Sequence, residues 1–428
     1  MTPAAGRSSG PSAVWRNARF RLYWTGQSIS EVGDRVSELA LPLVAVTILD
    51  ASPLEVGALF AAIWTPNLVS LFVGTWVDRL PSKRRMLIIA NLIQAAGIVC
   101  VPVAHVAGAL SMPVLYGAAI IGGLGGVLFH TAYPPFFVHL VNREQYVEAN
   151  SLLSTTRSAS YIAGPPMAGA LIRFLTAPVA LVVDACSFLL SALMISRVTV
   201  DEHPAGIAHQ ETYRRRLKLG VNYLRRHPYL RATLTCSTTL NFFALMVQAV
   251  LVLYASRTLD LGAGSIGLAF GIGATGGVVG AAIAGRLGRF LGTGRTIATG
   301  AILSAIPFAL LPLAEGGPLL YRVGIIATAE FISGLGIMLY DINNNSVQTA
   351  VTDDTMRSRV SGAYATVNYG IRPFGAFLGG WTAEHIGIPS TIVIASIAGA
   401  LAFAWLLKSP VIRTCRVDDL QAHPAHLS

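Results

Sequence analysis

Charge is what this sequence has least of: Asp, Glu, Lys and Arg together make up 12% of its 428 residues, against about 25% in soluble globular domains. A chain so poor in charge cannot cover a water-exposed surface, which excludes a soluble protein. Cysteine is equally sparse. Cys100, Cys186, Cys236 and Cys415 show no CxxC spacing and three of them lie in apolar runs, so neither a disulfide framework nor a zinc site is expected. No glycine loop follows a strand pattern, no nucleophile stands at a spacing that supplies it with a base, and no metal-ligand cluster is visible. Enzyme chemistry, cofactor, metal and bound ATP are therefore not expected. Residues 1–19 form a Pro/Ser/Gly tail without the apolar core of a cleaved leader, so the first apolar segment is expected to direct insertion.

What is abundant is apolar surface, at 53% of residues with a mean hydropathy of +0.60. One helical crossing of a bilayer needs about 20 apolar residues. Hydropathy, with Gly, Pro and charge clusters as breaks, predicts twelve segments at 21–49, 54–77, 85–107, 112–135, 148–173, 176–197, 229–256, 263–288, 295–315, 319–346, 357–387 and 389–408. The expected fold is an all-α integral membrane protein of twelve transmembrane helices. Of the 31 Lys and Arg residues, 25 fall on the side of the N-terminal tail, three on the other (Arg173, Arg257, Arg322) and three inside segments (Arg35, Arg157, Arg372). This bias predicts a multi-pass protein of the cell membrane with both termini cytoplasmic. It also assigns the net charge of +10 to membrane orientation rather than to nucleic acid.

The longest break divides the segments six and six. The expected organisation is a tail over 1–20, a six-helix bundle over 21–197, a linker over 198–228, a second bundle over 229–408 and a tail over 409–428. Within the linker, Tyr213, Leu217, Val221 and Leu224 recur at helical spacing among Arg214, Arg215, Arg216, Lys218, Arg225 and Arg226. Such a helix is expected to lie on the anionic inner leaflet of the bilayer. The two halves echo each other: Leu49-Asp50 and Gly57 recur as Leu259-Asp260 and Gly267, Gly74 as Gly285, and Pro165 as Pro373. Near-constant offsets imply duplicated, pseudo-symmetric bundles, an architecture of secondary transporters that handle substrate between the halves near midplane.

Segment 1 carries Gln27, Glu31, Asp34 and Glu38 at steps of 4, 3 and 4, along one helical face. Arg35 stands four after Glu31 and three before Glu38. Each ionised group at such depth costs about 2.5–3.5 kcal/mol on insertion scales, so the stripe must face protein or a water-filled cavity. Two readings fit: a proton-binding or cation-facing wall centred on Asp34, or an ion-pair network holding segment 1 to a neighbour. Further intramembrane candidates are Arg157, Asp184, Asn241, Gln248, Glu330, Asp341, Asn368 and Arg372. Arg372 fits either an anionic substrate group or a buried pair, and Asp341 with Asn343, Asn344 and Asn345 reads as a solvated helix end. His130 and His139 around Tyr133-Pro134-Pro135 read as a kinked, interfacial helix end. The glycines at 122, 123, 125 and 126, and those from Gly271 to Gly280, read as helix-packing positions.

The loop after segment 2, Gly74-Thr-Trp-Val-Asp78-Arg79-Leu-Pro-Ser-Lys83-Arg84-Arg85, resembles the Gly-x-x-x-Asp-Arg and basic-cluster signature of the major facilitator superfamily. Gly164-Pro165-Pro166-Met-Ala-Gly169 is similar to the Gly-Pro antiporter motif of its drug exporters. Asp184-Ala-Cys-Ser-Phe188 and Leu224-Arg-Arg-His-Pro228 resemble its macrolide-efflux and enterobactin-exporter branch. The sequence departs from the pattern at Pro81 and Ser82, at Ala168, in the absence of an Asp from Gly285-Arg-Leu-Gly-Arg289, and in the absence of an Arg from segment 4. The resemblance implies two rocking bundles, a monomer, and proton-driven export of an amphipathic small molecule. Asp78 at a cytoplasmic helix end suits the positive N-terminus of segment 11 near Arg357. With Gly74, Arg79, Arg84 and Arg85 it would form a charge latch, whose alternative is plain positive-inside anchoring. Gly164, Pro165 and Gly169 would permit a bend and close packing.

The function expected is thus proton-coupled efflux of hydrophobic or amphipathic compounds, with Asp34 carrying the proton and Glu31, Glu38, Arg35, Gln27, Arg157, Asn241, Gln248 and Arg372 around the cavity. The alternative within transport is a dedicated exporter of a siderophore or secondary metabolite. A membrane-embedded enzyme or sensor is the remote alternative.

Overall fold

The computed structural model describes residues 14–200, 213–416 and 420; of helical residues 71, 75, 78, 79, 213–217 and 358 it describes the backbone only. Segment 1 is the single helix α1 (Ala18–Thr47), capped by Asn17, whose Oδ1 accepts from the amides of Arg19 and Phe20. Segment 2 is α2 (Pro53–Trp64) and α3 (Ser70–Arg79), separated by a 3-10 turn at Thr65–Val69, where Pro66 has no amide hydrogen to give. Segments 3 to 6 are α4 (Lys83–Val106), α5 (Met112–Leu140), α6 (Tyr146–Leu175) and α7 (Ala177–Ser196). The connecting helix α8 (Tyr213–Arg226) follows.

The second half opens with α9 (Pro228–Leu253), extended by a π turn at Tyr254–Thr258, then α10 (Ala263–Leu291) and α11 (Thr293–Ala305), prolonged by a 3-10 stretch at Ile306–Ala314. Segment 10 is α12 (Leu319–Val351). Segment 11 divides into α13 (Arg357–Gly370) and α14 (Arg372–Ile386), with Pro373 at the restart, and segment 12 comprises α15 (Ile388–Ala400) and α16 (Ala404–Leu407). All twelve expected segments are present, in two six-helix halves. Segment 4 outlasts its expected end because Pro134 and Pro135 are accommodated inside α5, and segment 10 runs five residues farther than expected.

Eight of the described helical segments are long and apolar enough to cross a membrane on length and composition. The other four crossings are segments 1, 2, 5 and 11. Segments 2 and 11 fall short because a break divides each into pieces, and segments 1 and 5 because they carry polar and charged groups at membrane depth. On α6, Asn150, Ser151, Ser154, Thr155, Arg157 and Ser158 are all exposed, a surface that hydrocarbon does not tolerate and that must meet water between the halves.

The apolar core shows where the halves join. One cluster spans both: Leu43, Val46, Val56 and Leu59 from the first pack with Val247, Leu251 and Ile266 from the second, at the face remote from the termini. Toward the terminal face each half keeps its own cluster, one around Phe20, Tyr23 and Phe136, the other around Leu224, Leu230 and Cys236. The molecule is therefore closed at the remote face and cleft toward the terminal face. Glycine makes the closure possible at Gly57, whose missing side chain admits the backbone of Gly380 from α14.

The connecting helix forms where expected, but its apolar stripe is turned to protein. Leu224 is fully buried and Val221 packs with the terminal-face cluster of the second half, so α8 docks on α13 and α9. Tyr213 and Leu217 lie outside the described side chains.

The duplication is visible in backbone geometry. Asp50 and Asp260 both take left-handed φ, of 50° and 49°, and the following amides make the same bond, Ala51 to Ala45 and Leu261 to Ala255, each 2.9 Å. Farther on, Thr176 (φ 77°, ψ 158°) turns α6 into α7 as Gly387 (φ 87°, ψ 153°) turns α14 into α15. That region belongs to glycine, and a β-branched residue in it stores about 1–3 kcal/mol. Thr176→Gly is expected to stabilise the purified protein by about 1 kcal/mol, a melting-temperature gain on the order of 2 °C, and Gly387→Thr to lower the melting temperature; thermal unfolding in detergent reads both.

Candidate substrate and proton site

The stripe on α1 divides into paired and unpaired members. Glu31 is buried, accepts from Gln27 Nε2 at 3.2 Å and pairs with Arg157 Nε of α6 at 3.5 Å. Arg35 grips both oxygens of Glu38, at 2.6 and 2.8 Å, and its guanidinium lies 4.0 Å over the ring of Tyr161, a favourable cation–π contact. Its stem crosses α6 at Gly164, where any side chain would collide with it. Gly164 of the Gly-Pro motif thus makes room for a charged side chain inside the bundle. Asp34 is half-buried and has no hydrogen bond or ion pair among the described residues.

Behind Asp34, in the seam between α1 and α7, Asp184 is fully buried and accepts hydrogen bonds from Ser37 Oγ and, at 3.1 Å, from Ser187 Oγ. A side chain at Gly33 would fall on this carboxyl. Burying an ionised carboxylate costs several kcal/mol, and hydrogen bonds to it return about 1.5–3 kcal/mol each. The two hydroxyls therefore offset part of that cost.

The second half contributes Arg372, whose Nε donates to Asn241 Oδ1 at 2.9 Å. Its guanidinium lies 4.2 Å from the ring of Trp64 on α2 and 4.6 Å from that of Tyr369, and these two rings stack on each other. Arg372 therefore ties α14 to α9 and, across the halves, to α2. Gln248 is exposed without a hydrogen bond, Asn368 is buried and accepts from Thr238, Glu330 lies half-buried against Gly273, and Asp341 is exposed. Asn343 and Asn344 correct the reading of a solvated helix end: both are buried, bonded to the Ala284 carbonyl and to the Tyr364 hydroxyl, because α12 continues to Val351.

Of the latch residues, Asp78 and Arg79 have side chains outside the described residues, although α3 approaches α13, the start of segment 11. Gly74 sits near Thr131, Arg84 donates to the Ser196 carbonyl at the end of α7, and Arg85 is exposed. Gly169 and Pro165 lie in the seam between the halves, where Gly169 meets Ala263 and Gly264 of α10 and the Pro165 carbonyl meets Gly267.

Sequence spacing did not reveal the partners of the remote gate. Asp50 and Arg257, 207 residues apart, pair at 2.5 Å across the halves, and Arg257 also reaches the Val46 carbonyl. Beside them Glu384 accepts from the amide of Leu54 at the start of α2. The shared Leu-Asp echo marked the turn at Asp50 but not its partner, since Asp260 makes no such pair. An exposed pair of this kind is worth about 0.2–1 kcal/mol. Asp50→Ala is thus expected to raise the population open at the remote face by no more than about fivefold, and the swap Asp50→Arg with Arg257→Asp to reverse it. Distances between spin labels at positions 48 and 258, in a cysteine-free background, measure this.

Comparisons with known proteins agree with this fold. The chain matches the Major Facilitator Superfamily profile over residues 23–376 and again over 234–422. It is 23% identical over 375 residues to the multidrug efflux pump Tap of Mycolicibacterium fortuitum, covering 85% of this chain and 89% of that protein. To the uncharacterised MFS-type transporter y4rN of Sinorhizobium fredii it is 25% identical over 390 residues, covering 90% and 93%. Among solved structures, a bacterial homologue of the iron transporter ferroportin in its inward-facing state superposes with a TM-score of 0.73 at 15% identity, covering 93% and 99% of the two chains. This last likeness is one of fold.

Proposed function

The chain belongs to the major facilitator superfamily, whose members are membrane transporters, and we propose that within it the protein is a proton-coupled exporter of hydrophobic or amphipathic small molecules. The observation that carries this reading is the unpaired Asp34 on α1, beside paired Glu31, Arg35 and Glu38, in a molecule cleft toward the terminal face. The Lys and Arg bias makes that face cytoplasmic, in the cell membrane, and the form described here inward-facing. A carboxyl that gains a proton loses its charge and its demand for water, so protonation of Asp34 changes how α1 packs and biases the rocking of the halves. Each charge moved through the field contributes about 2.3 kcal/mol per 100 mV.

The substrate class rests on the rings of Trp64, Tyr161 and Tyr369, and on Arg35 and Arg372 being already engaged by rings and polar partners. Efflux by the similar pump Tap points the same way. Asn241 and Gln248 extend the polar wall. Gly74, Asp78, Arg79, Arg84 and Arg85 act as the cytoplasmic latch against segment 11, and Gly164, Pro165 and Gly169 as the hinge side of the seam. The working unit is a monomer.

Substrate-induced proton flux in proteoliposomes, with lipophilic drugs and siderophores offered in parallel to wild type and Asp34→Asn, tests the coupling. Flux in the wild type and its loss in the variant are expected; substrate movement without protons overturns the reading, and response to a siderophore alone narrows the substrate to one metabolite class. Asp78→Asn is expected to abolish transport at unchanged membrane expression. Wild-type export by that variant removes the latch.

A further inference from the structure

We infer that Asp184 is a second proton-binding site, enclosed between α1 and α7 directly behind Asp34 and held there by the hydroxyls of Ser37 and Ser187. The inference about its use in transport rests on the proton-coupled reading above.

The seam is built for polar groups. Two glycines of α1 face the antiparallel α7: Gly33 meets the side chains of Asp184 and Ser187, and Gly26 meets Met194 and the backbone of Ser191. The two glycines are seven residues apart, as are Asp184 and Ser191, so the same register repeats after two turns. Gly33 leaves the space that the Asp184 carboxyl occupies, and Gly26 lets the two helix backbones approach. Asp184 has no exposed surface, and no Lys, Arg or His pairs with it among the described residues. Its two oxygens are met by two neutral hydroxyls, one from each helix.

A fully buried carboxylate with hydroxyl partners alone is tolerable but not strongly held, and the carboxylic acid fits the same two partners, since a serine hydroxyl accepts as readily as it donates. The charged groups of α1 near this seam are Asp34, Arg35 and Glu38, and Arg35 is already engaged by Glu38 and the ring of Tyr161. The other helices on α7 add no compensating cation at this depth. On α6, Arg157 is engaged by Glu31 and Tyr161 lies under Arg35, while Arg173 is in the last turn. On α4, Lys83, Arg84 and Arg85 occupy one end, and Cys100 and His105 lie toward the other. A second, independent feature is that Ser191 Oγ on α7 and Gln27 Oε1 on α1, next to Gly26, are both buried with no hydrogen-bond partner among the described residues. Ser191 follows Asp184 and Ser187 on one face of α7, so the polar line extends from Asp184 toward the terminal face.

Asp34 and Asp184 thus form a front and a back carboxyl on one proton path. Asp34 is half-buried, and Asp184 takes the proton out of contact with either face.

Infrared pH-difference spectra of the purified, reconstituted protein test this without any substrate. Asp184→Asn is expected to remove one carbonyl-stretch band of a protonated carboxyl and to leave the band that Asp34→Asn removes. Ser37→Ala and Ser187→Ala are each expected to move the Asp184 band to higher frequency, because a lost hydrogen bond stiffens the C=O, and they carry the test should Asp184→Asn not fold. Spectra of Asp184→Asn that superimpose on wild type, or a band indifferent to both serine changes, overturn the assignment. The two readings fail separately: no Asp184 band with intact wild-type proton flux overturns Asp184 alone. A titrating Asp184 band with substrate flux that moves no protons overturns proton coupling and, with it, the use of Asp184 in transport.

Discussion

A bilayer penalises every ionised group that it cannot pair or wet, and α1 brings four such groups into eight residues, Glu31, Asp34, Arg35 and Glu38. The arrangement of the first half follows from where these can go. Glu31 is turned to Arg157 and Arg35 to Glu38 and Tyr161, which fixes α6 against α1. Passage of the Arg35 stem requires that α6 have no side chain at position 164. The other flank of α1 is closed by α7, where Gly33 makes way for Asp184. Helix packing here is driven less by apolar contact, which lipid supplies equally well, than by the need to keep polar groups off the hydrocarbon.

The same reasoning explains why closure sits at one face. At the remote end the halves meet through glycine and apolar residues, Gly57 on Gly380 and Gly169 on Gly264, reinforced by one exposed ion pair. Such a seam is short on strong directional bonds and long on shape, so it can separate without leaving a buried charge unpaired. The cleft at the opposite face is lined instead by serine, threonine and arginine of α6, which water satisfies. A transporter that alternates needs seams whose opening is nearly neutral in energy, and small residues with exposed pairs supply that where buried salt bridges would not.

Hydropathy was enough to place all twelve crossings, because the bilayer imposes both length and composition. Segments 1, 2, 5 and 11 came from the same reading, although polar groups in 1 and 5 and a helix break in 2 and 11 set them apart from the other eight. The stripe on α1 was legible as a stripe, but not the division of labour within it. Which acid pairs with Arg157 depends on the register between α1 and α6, and no local pattern encodes that. Asp50 and Arg257 were hidden for the same reason, being matched across 207 residues. Asn343 and Asn344 looked like a wet helix end because the polar run suggested a terminus. In the fold they bond to Ala284 and Tyr364 across helix contacts, a use of amides that sequence alone does not separate from solvation.

The duplicated halves have kept their turns and diverged in their interiors. Asp50 and Asp260 retain one backbone geometry, and Thr176 still occupies a position that Gly387 fills without strain. Inside, the first half holds acids along α1, whereas the second half engages Arg372 with Asn241, Trp64 and Tyr369. Two identical bundles around a two-fold axis would place like groups opposite each other and give the cleft no electrical direction. Acids along α1 in the first half, and a ring-held guanidinium at the start of α14 in the second, break that equivalence.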